Sequence, residues 1–204
     1  MGTAHEAGAT AAVPSARRRY LTLLFADLSE STALADLMEA ERYGEMLGEL
    51  RRIFREVIPR HGGMLVRAQG DGILAMFGYP DAREDDGRRA TEAALELHEA
   101  VRGLRVAGKL PGGRTLSLHS GVHAGLVLVA DGDMELGRFE LLGSVPNIAA
   151  RLSDQAGADE LFVSEETLGP QARYFETSEC RALALRGRAQ PLRAYAVRRR
   201  AAPQ

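Results

Sequence analysis

Seven residues at positions 20–26, YLTLLFA, carry almost no alternation of polar and apolar side chains. A strand with one wet face alternates, whereas a run apolar on both faces needs cover above and below. The segment therefore predicts a central strand inside a layered fold. The flanking chain supplies the layers. Tyr43, Met46, Leu47, Leu50, Phe54 and Val57 recur at three- and four-residue spacing, predicting a helix that stops at Pro59 and Gly62-Gly63. The apolar stretches 64–66 and 73–77 flank Gly70-Asp71-Gly72 and read as a hairpin. A second helix spans about 85–104, with Ala90, Ala94, Leu97 and Val101 inward and Glu84, Asp85 and Asp86 where the dipole favours acid. Residues 116–129 form a long β stretch interrupted by Gly121 and Gly125, and a third helix starts near Val145-Pro146. Short strands follow at 161–163, 175–176, 182–185 and 193–197. The order β-α-β-β-α-β with a C-terminal αβ extension is that of a ferredoxin-like α+β sandwich. One domain is expected over 18–198, after a disordered lead-in at 1–17 and before a tail at 199–204.

Composition works mainly by exclusion. With 26 basic and 28 acidic residues, the net charge of −2 gives no ground for a nucleic-acid partner. The lone Cys180 excludes an intramolecular disulfide framework and a cysteine-rich metal site, and agrees with a reducing compartment. No apolar run approaches the ~18–20 residues of a membrane span. Residues 1–14 lack the basic start and apolar stretch of a secretory leader, so the expected location is cytoplasmic. The basic residues are lopsided: Lys109 is the single lysine among the 26. Arg and Lys differ wherever geometry counts.

Three constellations carry chemistry. Asp27 stands at the carboxyl end of the buried run, where a carboxylate is costly unless paired or bound to a cation. It also suits a cap for a helix starting near Ser31. Asp71 lies at the hairpin tip, where Asp-Gly is a common turn. Two acids at strand ends can together hold Mg²⁺ or Mn²⁺, which prefer carboxylate and phosphate oxygens. Asn147 and Arg151, four apart in GSVPNIAARL, share one helix face. An Arg fork beside an amide donor suits phosphate recognition, and an ordinary amphipathic helix shows the same spacing. His119 and His123 fit structural roles in the β stretch, and Cys180 has no neighbouring base to activate it.

The ordered set LTLLFADLSEST, GGMLVRAQGDGILAMFG, GVHAG, GSVPNIAARL and LRGRAQPLRAYAV resembles the class III nucleotidyl cyclases, the adenylate and guanylate cyclase catalytic domains. The likeness runs over about residues 20–197. It implies that Asp27 and Asp71 bind two divalent ions, Mn²⁺ or Mg²⁺, with the Leu28 carbonyl as a further ligand. Asn147 and Arg151 would orient the ribose and neutralise charge on the transferring phosphorus. Arg186 takes the place of a phosphate-binding lysine, and amides at Ser29, Glu30, Ser31 and Thr32 would cradle phosphate oxygens. The metal pair would come from one protomer and the Asn/Arg pair and base readers from the other. A homodimer with two interfacial sites acting on a nucleoside triphosphate is thus implied. Hypotheses of another class are an inactive cyclase-fold module, whose signature would be lost aspartates, and a ferredoxin-like RNA binder. The latter needs a basic face and exposed aromatics, against 11 Tyr and Phe in all and a charge of −2.

Two positions depart from the family. Its adenylate cyclases usually place Lys four residues before the second metal Asp and Asp or Thr seven before the Asn; its guanylate cyclases place Glu and a small residue there. Here the two positions hold Arg67 and Glu140. Both side chains are longer, leaving less room for a two-ring base and favouring a pyrimidine. Stand-alone bacterial members include pyrimidine cyclases of antiphage signalling, whose product is sensed by a separate effector. The expectation is a UTP cyclase of that kind. The alternative is an adenylate cyclase in which Arg67 follows the general replacement of lysine by arginine.

Overall fold

The computed structural model describes residues 16–104, 110–131 and 139–202. The central apolar run lies in β1 (Arg17–Leu28), which pairs antiparallel with β3 (Gly72–Phe77) and β4 (Leu118–Asp131). With β2 (Met64–Gln69) outside β3, the order β2-β3-β1-β4 is that of a ferredoxin-like sheet. The extension adds β6 (Glu160–Ser164), parallel to β4, then β9 (Leu192–Arg200) and β7 (Phe175–Thr177). β5 (Phe139–Leu142) pairs off β4, and β8 (Arg181–Leu183) pairs off β9.

The period of two explains why the run within β1 is apolar on both faces. Leu24, Ala26 and Leu28 pack under α2 (Ala40–Arg60) and α3 (Asp86–Arg102), against Leu50, Phe54 and Leu97. Leu21 and Leu23 point to the other face, where α4 (Ser144–Gln155) covers them with Val145 and Ala149. The short helices α1 (Ser31–Leu37) and α5 (Glu165–Leu168) follow β1 and β6. Asp27 has the parity of Leu21 and Leu23, so its carboxylate lies on the α4 side of the sheet.

Several expectations are corrected. Gly121 and Gly125 do not interrupt the long β stretch: β4 runs through both. They are bare because α4 lies directly on them; a Cβ at Gly121 would stand 2.5 Å from the Ala149 carbonyl oxygen and one at Gly125 2.7 Å from Val145. Arg17 belongs to β1 rather than to a lead-in; Ala16 before it is exposed, and residues 1–15 of that lead-in lie outside the described residues. Nor does a tail begin at 199. Arg199 and Arg200 pair with β7, and Arg199 binds Glu176 at 2.8 Å while Arg200 binds Glu92 at 3.1 Å. β8 ends at Leu183 rather than Leu185. β5 and α5 had no counterpart in the sequence reading.

Candidate active site

At the carboxyl end of β1, Asp27 faces Gly72 on β3 and His119 on β4 in register. Gly72 has no side chain, and the Asp27 carboxylate occupies the space that a Cβ there would take. The acid thus leans toward the β2–β3 turn that carries Asp71. Two bonds hold this turn: Leu28 N–H donates to the Asp71 carbonyl at 3.2 Å, and Arg51 of α2 donates to the Gly70 carbonyl at 3.1 Å. Gly70 takes φ +60, open to glycine at no steric cost.

Burial pushes the Asp27 carboxyl above the usual carboxylate range; the charges of Asp71 and Asp154 push the same way, and His119 opposes them. The Asp27 and Asp71 carboxylates and the Leu28 carbonyl would together offer oxygen donors only, and the charge of Asp71 adds to the burial that raises the Asp27 pKa. Such a set fits a hard divalent cation. Among the described residues no group of three or more His, Cys, Asp or Glu side chains is placed to hold an ion by itself. Phosphate oxygens of a substrate would have to complete the coordination.

The second half of the site is built on α4 and the turn after β8. Asn147 and Arg151 share a face of the helix, as expected, and Arg151 lies against Gly187: a Cβ there would be 3.2 Å from its Nη1. Gly187 takes φ +82 in the turn closed by Arg188 N–H to the Leu185 carbonyl at 3.1 Å, which also carries the exposed Arg186. Arg151 and the Arg186 turn are therefore neighbours. From α4 it is Ala150 and Asp154, interleaved with Asn147 and Arg151 along the same side of the helix, that line the cleft beside Asp27; Asn147 and Arg151 themselves do not line it.

Arg67 and Glu140 come together, lining one cleft with Leu141, Leu142 and Pro146. Arg67 also lines the Asp27 cleft, so the two clefts adjoin. The phosphate cradle needs correction at one residue: the Ser29 N–H donates to the Ser117 carbonyl at 2.8 Å and is not free for a ligand. Ser31 and Thr32 open α1, which has no side-chain cap, and Glu30 precedes them at φ +55.

His119 sits across from Asp27 and donates Nδ1–H to the Ser153 carbonyl at 2.7 Å, tying β4 to the last turn of α4. His123 lies in mid-strand on β4. Its Nδ1 is 2.8 Å from Ser164 Oγ, and burial pulls its pKa down to about 4, with Arg188 pulling the same way. Sequence reasoning missed Asp154 and Gln69. Asp154 was signalled only by its spacing of four from Ala150. Gln69 was hidden by a strand irregularity near Val66.

Comparison with known proteins follows the same outline. The family model for the adenylate and guanylate cyclase catalytic domain matches residues 13–198. Adenylate cyclase 1 of Rhizobium meliloti (strain 1021) is 27% identical over 139 residues, which is 68% of this chain and 21% of that protein. Soluble guanylate cyclase gcy-31 of Caenorhabditis elegans is 25% identical over 148 residues, 72% of this chain and 21% of that protein. The chain thus spans about a fifth of the length of these relatives. The crystal structure of the guanylyl cyclase Cya2 superposes with a TM-score of 0.83 at 26% identity, covering 92% of this chain and 95% of that one. The adenylyl cyclase CyaB from P. aeruginosa shares the fold, with a TM-score of 0.80 at 23% identity over 90% of this chain and 95% of that one. No helix among the described residues is long and apolar enough to cross a membrane.

Proposed function

The chain belongs to the adenylate and guanylate cyclase catalytic domain family, and from that membership we propose that it converts a nucleoside triphosphate to the 3′,5′-cyclic nucleotide and pyrophosphate, with UTP as the preferred substrate. In the reaction the ribose 3′-oxygen forms a bond to the α-phosphorus while the bond from that phosphorus to the bridging oxygen breaks. Pyrophosphate leaves with the electron pair, and the hydroxyl proton passes to water. Asp27, Asp71 and the Leu28 carbonyl would hold two divalent ions, Mn²⁺ or Mg²⁺, which supply charge neutralisation at the triphosphate and acidify the 3′-hydroxyl. Asn147 orients the ribose. Arg151 places its fork on the charge that builds at the transferring phosphorus, and Arg186 with the Ser31 and Thr32 amides takes the outer phosphate oxygens.

One observation carries the reading: Arg67 and Glu140, the residues expected to read the base for the partner's acids, come together from β2 and β5 to line one cleft. Arginine and glutamate at these positions reach further than the shorter pair usual in the family, which supports a one-ring base. An adenylate cyclase is the second reading, favoured by the single lysine among 26 basic residues, since Arg67 then stands in for lysine by composition alone.

Neither Asn147 nor Arg151 lines the cleft of Asp27, and Arg151 lies against Gly187 instead, which supports a homodimer in which each copy completes its partner's site. The cyclic nucleotide would serve as a second messenger for a separate effector in antiphage defence. Purified protein incubated with Mn²⁺ and each of ATP, GTP, CTP and UTP tests substrate and activity together. Cyclic UMP as the main product is expected; a preference for ATP contradicts the pyrimidine reading, and no cyclic product from any triphosphate contradicts the enzyme.

A further inference from the structure

β2 would ordinarily send alternate side chains to opposite faces of the sheet. Leu65 pairs with Ala75, on the side of α2 and α3. Two residues on, Arg67 keeps that parity in an unbroken strand, and so does Gln69. A bulge prevents this: Leu65 pairs with Ala75 but Arg67 pairs with Leu74, so Val66 is the extra residue and the parity flips. From that point Arg67 and Gln69 face the α4 side. Across three neighbouring strands Gln69, Gly72 and Asp27 then lie in one row on that face. Because Gly72 is bare, nothing on β3 screens Gln69 from the site. Gln69 is exposed and lines both the Asp27 cleft and the cleft shared by Arg67 and Glu140.

We infer that Gln69 is a specificity-determining residue, the third polar group that reads the base in the cleft of Arg67 and Glu140. The inference rests on the cyclase reading above. The three side chains offer complementary chemistry: Arg67 only donates, ionised Glu140 only accepts, and the Gln69 carboxamide does either. Uracil presents acceptor, donor, acceptor along its pairing edge. Glu140 then accepts from N3–H while Arg67 and the Gln69 amide donate to the two carbonyls. Cytosine presents acceptor, acceptor, donor, and the amide donates there too. Adenine has only two polar atoms on the same edge and leaves one of the three protein groups unmatched. A polar group that the bound base covers and leaves unmatched is what gives such sites their discrimination.

The test compares kcat/KM for UTP and ATP in wild type, Gln69→Leu and Gln69→Glu, with Mn²⁺ and with oligomeric state checked for each protein. Gln69→Leu is expected to lower the UTP-to-ATP ratio about tenfold, the worth of one hydrogen bond. Gln69→Glu is expected to lower it further, because a carboxylate then faces a carbonyl. A ratio within twofold of wild type in both variants overturns the inference and leaves the cyclase standing. A wild-type preference for ATP also overturns it. A wild type that cyclises none of the four triphosphates overturns the proposed function, and this inference with it.

Discussion

The acid half and the arginine half of the site are made of different material. Asp27 is part of a central strand, in register with β3 and β4, and its neighbour Asp71 is tied down by main-chain and arginine hydrogen bonds. Asn147, Arg186 and Glu140 are exposed on a helix, a turn and an edge strand. The first half is rigid and electrostatically unfavourable by itself, since Asp27 is half-buried beside two other acids. The second is more open to solvent, with Arg151 its half-buried member. Rigidity sits where a cation must be coordinated at short range, and reach sits where a flexible substrate must be gathered.

Substitutions can break this contrast. The largest effect is expected at the acid half, where Asp27→Asn should reduce cyclic nucleotide formation to the no-enzyme level. The same change should raise the melting temperature of metal-free protein. Because burial lifts the folded pKa of Asp27 above its unfolded value, the ionised form opposes folding at neutral pH, and an amide removes that opposition. A lower melting temperature in the variant would show that Asp27 is held by attractive contacts instead. In the arginine half, Arg151→Ala should lower kcat by about 10²–10³-fold, the range for losing one donor at developing charge, with little change in melting temperature. Equal losses of activity and stability would make Arg151 structural.

The two halves are joined where α4 lies on β4. Gly121→Ala would press a methyl group into the Ala149 carbonyl and the last turn of α4. Overpacking of this kind costs about 1–3 kcal/mol, and denaturant unfolding would measure it. A neutral result would mean that α4 shifts freely on the sheet. His123 gives the smallest and most local effect. Its folded pKa of about 4 lies below the unfolded value of 6.5, so its stabilising contribution is complete above pH 6.5 and is lost as pH falls toward 4. Between pH 7 and pH 5 roughly 2 kcal/mol of stability should disappear in wild type and persist in His123→Gln.

Apolar periodicity made the frame legible. β1, α2 and α3 bury the side chains that their spacing pointed to, Tyr20 at 53% exposure excepted, because local period and tertiary cover agree there. Asp27 and Asp71 were legible as candidates because each sits at a strand end, and Asn147 and Arg151 because they share a helix face in one motif. Pairing between distant segments was harder to see. The bulge at Val66 that turns Gln69 toward the site depends on the register with β3, which no window of β2 reveals. Gly121 and Gly125 looked like breaks because the helix that needs their bareness comes some twenty residues later. Arg199 and Arg200 fell in the expected tail, but their place in β9 depends on β7 and an ion pair to α3.

The central claim is that acids and arginine meet across two copies of the chain. It is tested most directly by mixing two dead proteins, Asp27→Asn and Arg151→Ala, under conditions that exchange subunits. If each site takes its acids from one protomer and its arginine from the other, every mixed dimer has one intact site. An equal mixture should then recover about a quarter of wild-type activity, given random pairing into symmetric dimers. A mixture as inactive as its components, with exchange confirmed, would contradict the account and place the whole site within one chain.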